Sequence, residues 1–295
     1  MKGIDKKWVF LFILSVVWGS SFILIKKALI GLTPLQLGAL RTIFAAIFLL
    51  IIGFNKLKLI KKTEWKWITI SAFVGTFIPA FLFAFAETEI DSAIVSVLNS
   101  TTPIMTLLLG VAAFSIGFSK NQLAGVIVGL LGSLLLIWSG AAVNPNQNYW
   151  YACLILIASV CYATNVNIIK RYLQHTPAMA ITAGHFVVIL IPAILVLFFS
   201  GFFNQATLTS EELMPSLGYL LLLAVIGTGL AKILFNTLVQ ISTPVFATSV
   251  TYTIPIVALF WGLLDGEKFS LQQGAAACLI IFGVYLANRK KKKTT

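Results

Sequence analysis

Hydrophobic side chains come in long unbroken runs along this chain, with no alternation of apolar and polar positions. Ten runs, separated by short polar connections, predict helices near 8–30, 35–54, 66–86, 92–115, 120–139, 149–169, 178–200, 216–239, 242–264 and 270–288. Each has about the 20 residues that cross a hydrocarbon layer of ~30 Å. Continuous runs require helices, which satisfy their own backbone, and argue against a membrane β-barrel. The first run is too long for a secretory signal and lacks a small-residue cleavage pattern, so it is expected to be retained.

The polar and small positions within this pattern occur twice. Thr33-Pro34, Gly75-Thr76, Phe83, Pro103-Ile104, Gly110, Phe118-Ser119, Gln122 and Gly132 return in order. Their counterparts are Thr176-Pro177, Gly227-Thr228, Phe235, Pro255-Ile256, Gly262, Phe269-Ser270, Gln273 and Gly283. The offset starts at 143 residues and settles at 151 to 152, so the repeat covers nearly the whole chain. The expected fold is an all-α integral membrane protein with ten transmembrane helices in two five-helix repeats, 1–140 and 141–295. An odd number of spans per copy forces the copies into opposite orientations. Inverted repeats of this kind are how secondary transporters build a midplane site with alternating access.

Composition agrees with a bilayer as solvent. Hydrophobic residues make up 59% and charged residues 10%, against about 25% charged in soluble domains. The net charge of +12 suggests nucleic acid at first sight, but its distribution does not. Lys2, Lys6, Lys7, Lys56, Lys58, Lys61, Lys62, Lys66, Lys120, Lys170, Arg171 and the tail Arg289 to Lys293 fall on one side of the predicted spans. Glu87, Glu89, Asp91, Glu211, Glu212, Asp265 and Glu267 fall on the other. This asymmetry predicts both termini in the cytoplasm of a bacterial inner membrane, with the basic tail touching anionic lipid and no nucleic-acid partner. Trp8, Trp65, Trp67, Trp150 and Tyr151 stand at span ends as an aromatic belt. Cys153, Cys161 and Cys278 lack metal-ligand spacing and read as small buried hydrophobes. No cofactor or metal is expected, and the absence of a Walker-type glycine loop argues against direct use of ATP.

With the repeat aligned, the sequence resembles the ten-helix EamA-type carriers of the drug/metabolite transporter superfamily. The resemblance rests on Trp18-Gly19-Ser20-Ser21-Phe22, Pro103 with its flanks, Pro255, and Gly266-Glu267-Lys268-Phe269 through Gly274 to Gly283. The first copy carries Ile116 where the second carries Glu267, so Glu267 is assigned a structural role at a helix end. The resemblance implies transport of small metabolites, commonly amino acids, through a cavity formed by spans one, three, four, six, eight and nine. Spans five and ten would then be peripheral. Their Gly125-x-x-x-Gly129 and Gly274-x-x-x-Cys278 spacings suit close contact, either within the chain or in a homodimer.

The candidate site residues lie inside spans. Pro103 and Pro255 occupy matching depths, and each frees the carbonyl four residues earlier, at Asn99 and Thr251. Helix breaks at matching positions of two repeats point to a transport site. Embedded ionisable groups cost about 2.5–3.5 kcal/mol each and suggest function. Lys232 is the candidate contact for an anionic group, with Asn236 one turn on. Arg41 and His185 are candidate charge or proton sites, although both lie near enough to span ends to snorkel. Lys26 and Lys27 read as interfacial. Among neutral groups, Trp18, Ser21, Asn99, Asn165 and Tyr252 are the candidate substrate contacts. The acids at 87, 89 and 91 belong to an external loop, so carboxylate-based proton coupling has no evident seat. The expectation is a carrier that exports a small polar metabolite such as an amino acid. A multidrug carrier of organic cations is the alternative, although small multidrug carriers of this superfamily use an embedded glutamate in their first helix and span one has none. A scramblase or channel ranks below both, because the polar residues gather near mid-span and do not line a continuous path.

Overall fold

Apolar runs of this length find no water partners in a bilayer and close their hydrogen bonds internally. The computed structural model describes residues 6–114, 120–143 and 146–288, and among these it contains helices and no strand. The α-helices are α1 (Lys6–Ala28), α2 (Pro34–Gly53), α3 (Trp65–Ala72), α4 (Ile78–Ala86), α5 (Ser92–Asn99), α6 (Thr102–Phe114), α7 (Lys120–Val143) and α8 (Ala152–Tyr172). They continue with α9 (Ala178–Phe199), α10 (Gln205–Leu208), α11 (Leu213–Leu222), α12 (Ala231–Ile241), α13 (Pro244–Thr248), α14 (Ile254–Leu264) and α15 (Leu271–Asn288). Among the described residues, eight stretches are long and apolar enough to cross a membrane, from Lys6–Ala28 to Pro244–Leu264. Shorter apolar stretches lie in α7 at Leu123–Leu136 and in α15 at Leu271–Gly283. The chain is an all-α integral membrane protein. Ile116, Phe118-Ser119, Lys2 and the basic tail lie outside the described residues.

Four of the spanning stretches are interrupted. π-helical turns at Phe73–Phe77 and Leu223–Leu230 join α3 to α4 and α11 to α12, and contain the repeated Gly75-Thr76 and Gly227-Thr228. α5 stops at Asn99 and α6 resumes at Thr102, with Pro103 in its first turn. α13 passes into α14 through a 3-10 turn at Ser249–Tyr252, with Pro255 again in the first turn of the resumed helix. The proline ring fits a first turn, where its missing N–H costs nothing. The carbonyls expected to be orphaned are taken up by hydroxyls. Thr102 Oγ1 donates to Asn99 O at 2.7 Å, and Ser100 Oγ donates to Thr251 O at 2.7 Å, across the two halves.

Some repeated motifs are helix starts. Thr33 Oγ1 accepts from Gln36 N while Gln36 Oε1 accepts from Thr33 N at 2.9 Å, a capping box opening α2. Ser270 and Gln273 exchange the same pair of bonds, at 3.1 and 2.8 Å, at the start of α15.

Packing places α1 among α11, α12 and α14, α2 along α9, and α8 against α4 and α6, while α7 and α15 pair with each other. Small residues make that last pairing close. A Cβ on Gly283 would meet Gly125 O at 2.7 Å and Gly129 Cα at 2.8 Å. The Gly125-x-x-x-Gly129 face is therefore occupied within the chain, as close packing of small residues permits. The outer surface is apolar, with Trp138 and Phe199 each 80% exposed. Cys153 and Cys278 lie on that surface and Cys161 is half-buried, which corrects the expectation that they are interior. A bilayer rewards apolar groups on the outside as well as the inside, so hydrophobic character does not assign a side chain to the core.

Candidate functional site

A cavity of about 100 Å³ lies at the level of the interrupted helices. Room for one water takes roughly 10–15 Å³ on this measure, so the space admits several waters or a small molecule. Positions that correspond in the two halves of the sequence line it together: Gly75-Thr76 with Gly227-Thr228, Phe83 with Phe235, and Asn99 with Thr251. α1 contributes Trp18 and Ser21, α2 Arg41 and Thr42, and α8 Tyr162. α2 was not among the spans that the family resemblance assigns to the cavity.

The two π turns explain how helix backbones approach so closely. A Cβ on Gly227 would stand 2.8 Å from Ser21 Oγ, and one on Gly75 would overlap the Asn165 amide. Each glycine thus admits a polar side chain of the facing helix, Ser21 from α1 or Asn165 from α8. The glycine carbonyls turn toward donors: Trp18 Nε1 donates to Gly227 O at 2.9 Å, and Lys232 Nζ donates to Gly75 O. π turns leave backbone groups free for such use and recur at functional sites.

Arg41 and Lys232 are the charged side chains that line the cavity, and no carboxylate is among its described lining residues. Arg41 Nε donates to Thr228 Oγ1 at 2.7 Å, and Thr228 Oγ1 donates to Leu223 O at 3.1 Å. Lys232 is 7% exposed, with Nζ 5.9 Å from the centre of the Tyr162 ring. Thr76 Oγ1 is buried without a hydrogen-bond partner, a polar group on the wall that a bound molecule would satisfy. The Trp18 and Phe235 rings, 5.0 Å apart, close one side apolarly.

Of the residues singled out from the sequence, Trp18, Ser21, Asn99, Lys232 and Arg41 line this cavity. Asn165, Asn236, Tyr252 and His185 do not. Asn165 accepts from Ser71 Oγ on α3, and Asn236 Nδ2 donates to Thr182 Oγ1 on α9 at 3.0 Å. A step of four residues turns a helix 40° past a full turn, enough to carry Asn236 off the face of Lys232. Tyr252 packs against Ile104. His185 is fully buried in α9, both ring nitrogens without partners. Tyr162, Thr76 and Thr228 join the site only through the structure. The signal for the threonines was their place in the repeated Gly-Thr pair, and for Tyr162 a hydroxyl within an apolar span.

At one end of the bundle, charges on distant segments meet. Lys26 Nζ lies 2.8 Å from Asp265 Oδ2 and 2.9 Å from Glu267 Oε1, and Lys27 pairs with Asp265. Glu267 also accepts from Ser92 Oγ at 2.6 Å, Ser92 N at 3.3 Å and Ala93 N at 3.2 Å, which caps α5. Lys26 and Lys27, which read as interfacial from the sequence, stand at this end as paired ions. The two lysines hold the Asp265 carboxyl below its ordinary range, against the opposing pull of desolvation. At the opposite end, Lys170 Nζ donates to the carbonyls of Val239, Gln240 and Ser242 at 3.4, 3.2 and 2.7 Å.

Comparison with known proteins gives this architecture its place. A protein of Escherichia coli K12 described as "Uncharacterized inner membrane transporter YedA" is 30% identical over 289 residues, covering 95% of this chain and 90% of its own. A Salmonella typhimurium LT2 protein described as "Probable amino-acid metabolite efflux pump" is 29% identical over 280 residues, covering 92% and 91%. A solved crystal structure superposes over 97% of both chains with a TM-score of 0.69 at 15% identity, a likeness of fold alone. The pattern of one family matches residues 6–138 and again 149–289, leaving little of the chain outside it. The chain belongs to the EamA-like transporter family.

Proposed function

We propose that this protein is a secondary carrier of the bacterial inner membrane that exports a small zwitterionic or anionic metabolite, an amino acid first among them. The observation that carries this reading is the cavity itself, lined from both halves of the chain, with Arg41 and Lys232 as its charged groups and no carboxylate among the described lining residues. A substrate carboxylate would sit between the guanidinium and the ammonium, where low polarity strengthens charge-assisted bonds. Thr76, Asn99 and the glycine carbonyls would hydrogen-bond the remainder. Organic cations would meet two like charges there. The relative described as an amino-acid metabolite efflux pump supports both the substrate class and the direction. The relative described as an inner membrane transporter supports the compartment.

In this reading the chain is ten spans in two inverted repeats that rock about the cavity, and the lysine-rich connections place both termini in the cytoplasm. The Lys26–Asp265–Glu267 cluster then stands at the outer end.

The test is a thermal-shift screen of the detergent-purified protein against amino acids, organic acids, sugar phosphates and organic cations. A ligand at one hundred times its Kd stabilises the folded state by ~2.7 kcal/mol. Amino or organic acids are expected to raise Tm, and Lys232→Met is expected to abolish that rise while circular dichroism shows the fold retained. Stabilisation by organic cations alone would overturn the reading.

A further inference from the structure

Glu87 is the first residue past α4, in the short connection to α5. A carboxylate in a loop is ordinarily solvated, yet Glu87 is 8% exposed and both carboxylate oxygens are buried without a hydrogen-bond partner. Its backbone N–H bonds Phe83 O at 3.0 Å, which sets it one helical turn beyond a cavity-lining ring. It therefore lies between the cavity and the Lys26–Asp265–Glu267 cluster.

The charges that act on Glu87 come from three other segments: Glu267 beyond α14, Arg41 on α2 and Lys26 on α1. Asp91 shares its connection, and on α8, packed along α4, Tyr162 has its ring centroid 6.0 Å from that of Phe83. Neither cation is hydrogen-bonded to Glu87. Lys26 is held by Asp265 and Glu267, and Arg41 Nε by Thr228. An ionised carboxylate here would carry an uncompensated desolvation cost. Burial, reinforced by the neighbouring Glu267 charge, pushes the Glu87 carboxyl well above the usual carboxylate range, and Arg41 and Lys26 only partly oppose it.

We propose that Glu87 is a proton-binding site of this carrier, neutral while the Lys26–Asp265–Glu267 cluster is closed and exchanging its proton with the outer aqueous phase when the cluster parts. This rests on the carrier reading and on the orientation given above. On opening, water reaches the carboxyl, the O–H bond breaks, and the proton passes to water, leaving a hydrated carboxylate. Reclosure requires the proton back, so each cycle through the open state exposes one proton site to the outside. The sign of the pH dependence follows. With its pKa raised in the closed state, Glu87 favours closure at low pH and opposes it as pH rises through the raised value.

The experiment is infrared titration of the purified protein, following the carbonyl stretch of protonated carboxylic acid. At pH 7 the wild type should show such a band, Glu87→Gln should lack it, and both proteins should retain their fold by circular dichroism. Asp265→Asn combined with Glu267→Gln, which unties the cluster, removes the neighbouring negative charge and frees Lys26, should move the midpoint of the band down towards the ordinary glutamate value of about 4.3. Absence of the band from the wild type at pH 7, its survival in Glu87→Gln, or a midpoint unmoved by the double variant would each overturn the proposal. The band reports the proton on Glu87 whatever the cargo is, so its failure is distinct from a failure of the amino-acid reading.

Discussion

Lys232 and Arg41 show how the partners of a cavity-lining cation decide what its charge can do. An embedded cation is costly, and each is partly compensated by a neutral acceptor, Gly75 O for Lys232 and Thr228 Oγ1 for Arg41. Neutral acceptors leave the charge uncancelled and available to an incoming anion, which a carboxylate partner would not. The glycines facing these groups work through space rather than charge. Gly227→Ala is expected to destabilise the protein by about 1–3 kcal/mol, because the new Cβ would press on Ser21 Oγ. Adding Ser21→Ala removes that oxygen and should recover most of the loss, a coupling that a double-mutant cycle on thermal unfolding would measure. Additive effects would mean that the pair does not touch.

At the scale of elements, the interrupted helices bring backbone polarity into the bundle without leaving it orphaned. The link from Ser100 Oγ to Thr251 O ties the break in one half to the break in the other. Ser100→Ala should cost about 1–3 kcal/mol, since it leaves a buried carbonyl unpaired. Ser249→Ala, whose hydroxyl bonds Phe246 O within its own turn at 2.6 Å, should cost less. Equal losses in chemical or thermal unfolding would show that the cross-half bond has no special weight. The positions of these breaks were legible beforehand, because proline and its freed carbonyl are local properties of the chain. The π turns were not, since a wide turn of this kind depends on what the facing helix inserts against the glycine.

At the scale of the whole molecule, the ionic cluster at the end of α1 fastens α1 to the start of α5 and to the connection after α14. Its acid limb belongs to Asp265, held below its ordinary range by Lys26 and Lys27. A depressed carboxylate contributes stability that is present above its unfolded pKa of about 3.9 and lost as pH falls through the lower folded value. Thermal unfolding should therefore show a drop in Tm below about pH 3.9 that is weaker in Asp265→Asn. An unchanged acid limb in that variant would assign the drop to other carboxylates.

The amino-acid sequence by itself determined that this is an all-helical membrane protein, because unbroken apolar runs of bilayer length leave the backbone no other partner. It also determined the breaks at Pro103 and Pro255 and the recurrence of the motifs, since caps and prolines act within a turn or two of themselves. Tertiary structure decided which polar groups share a space. Lys232 and Asn236 stand on one predicted face, yet one opens to the cavity and the other bonds α9. Glu87 reads as a solvated loop acid, and Lys26 as an interfacial lysine, until α1, α4 and the segment after α14 converge. The reason is physical: burial and pairing are properties of the space between segments, and residues 26, 87 and 267 acquire them only when the bundle closes around them.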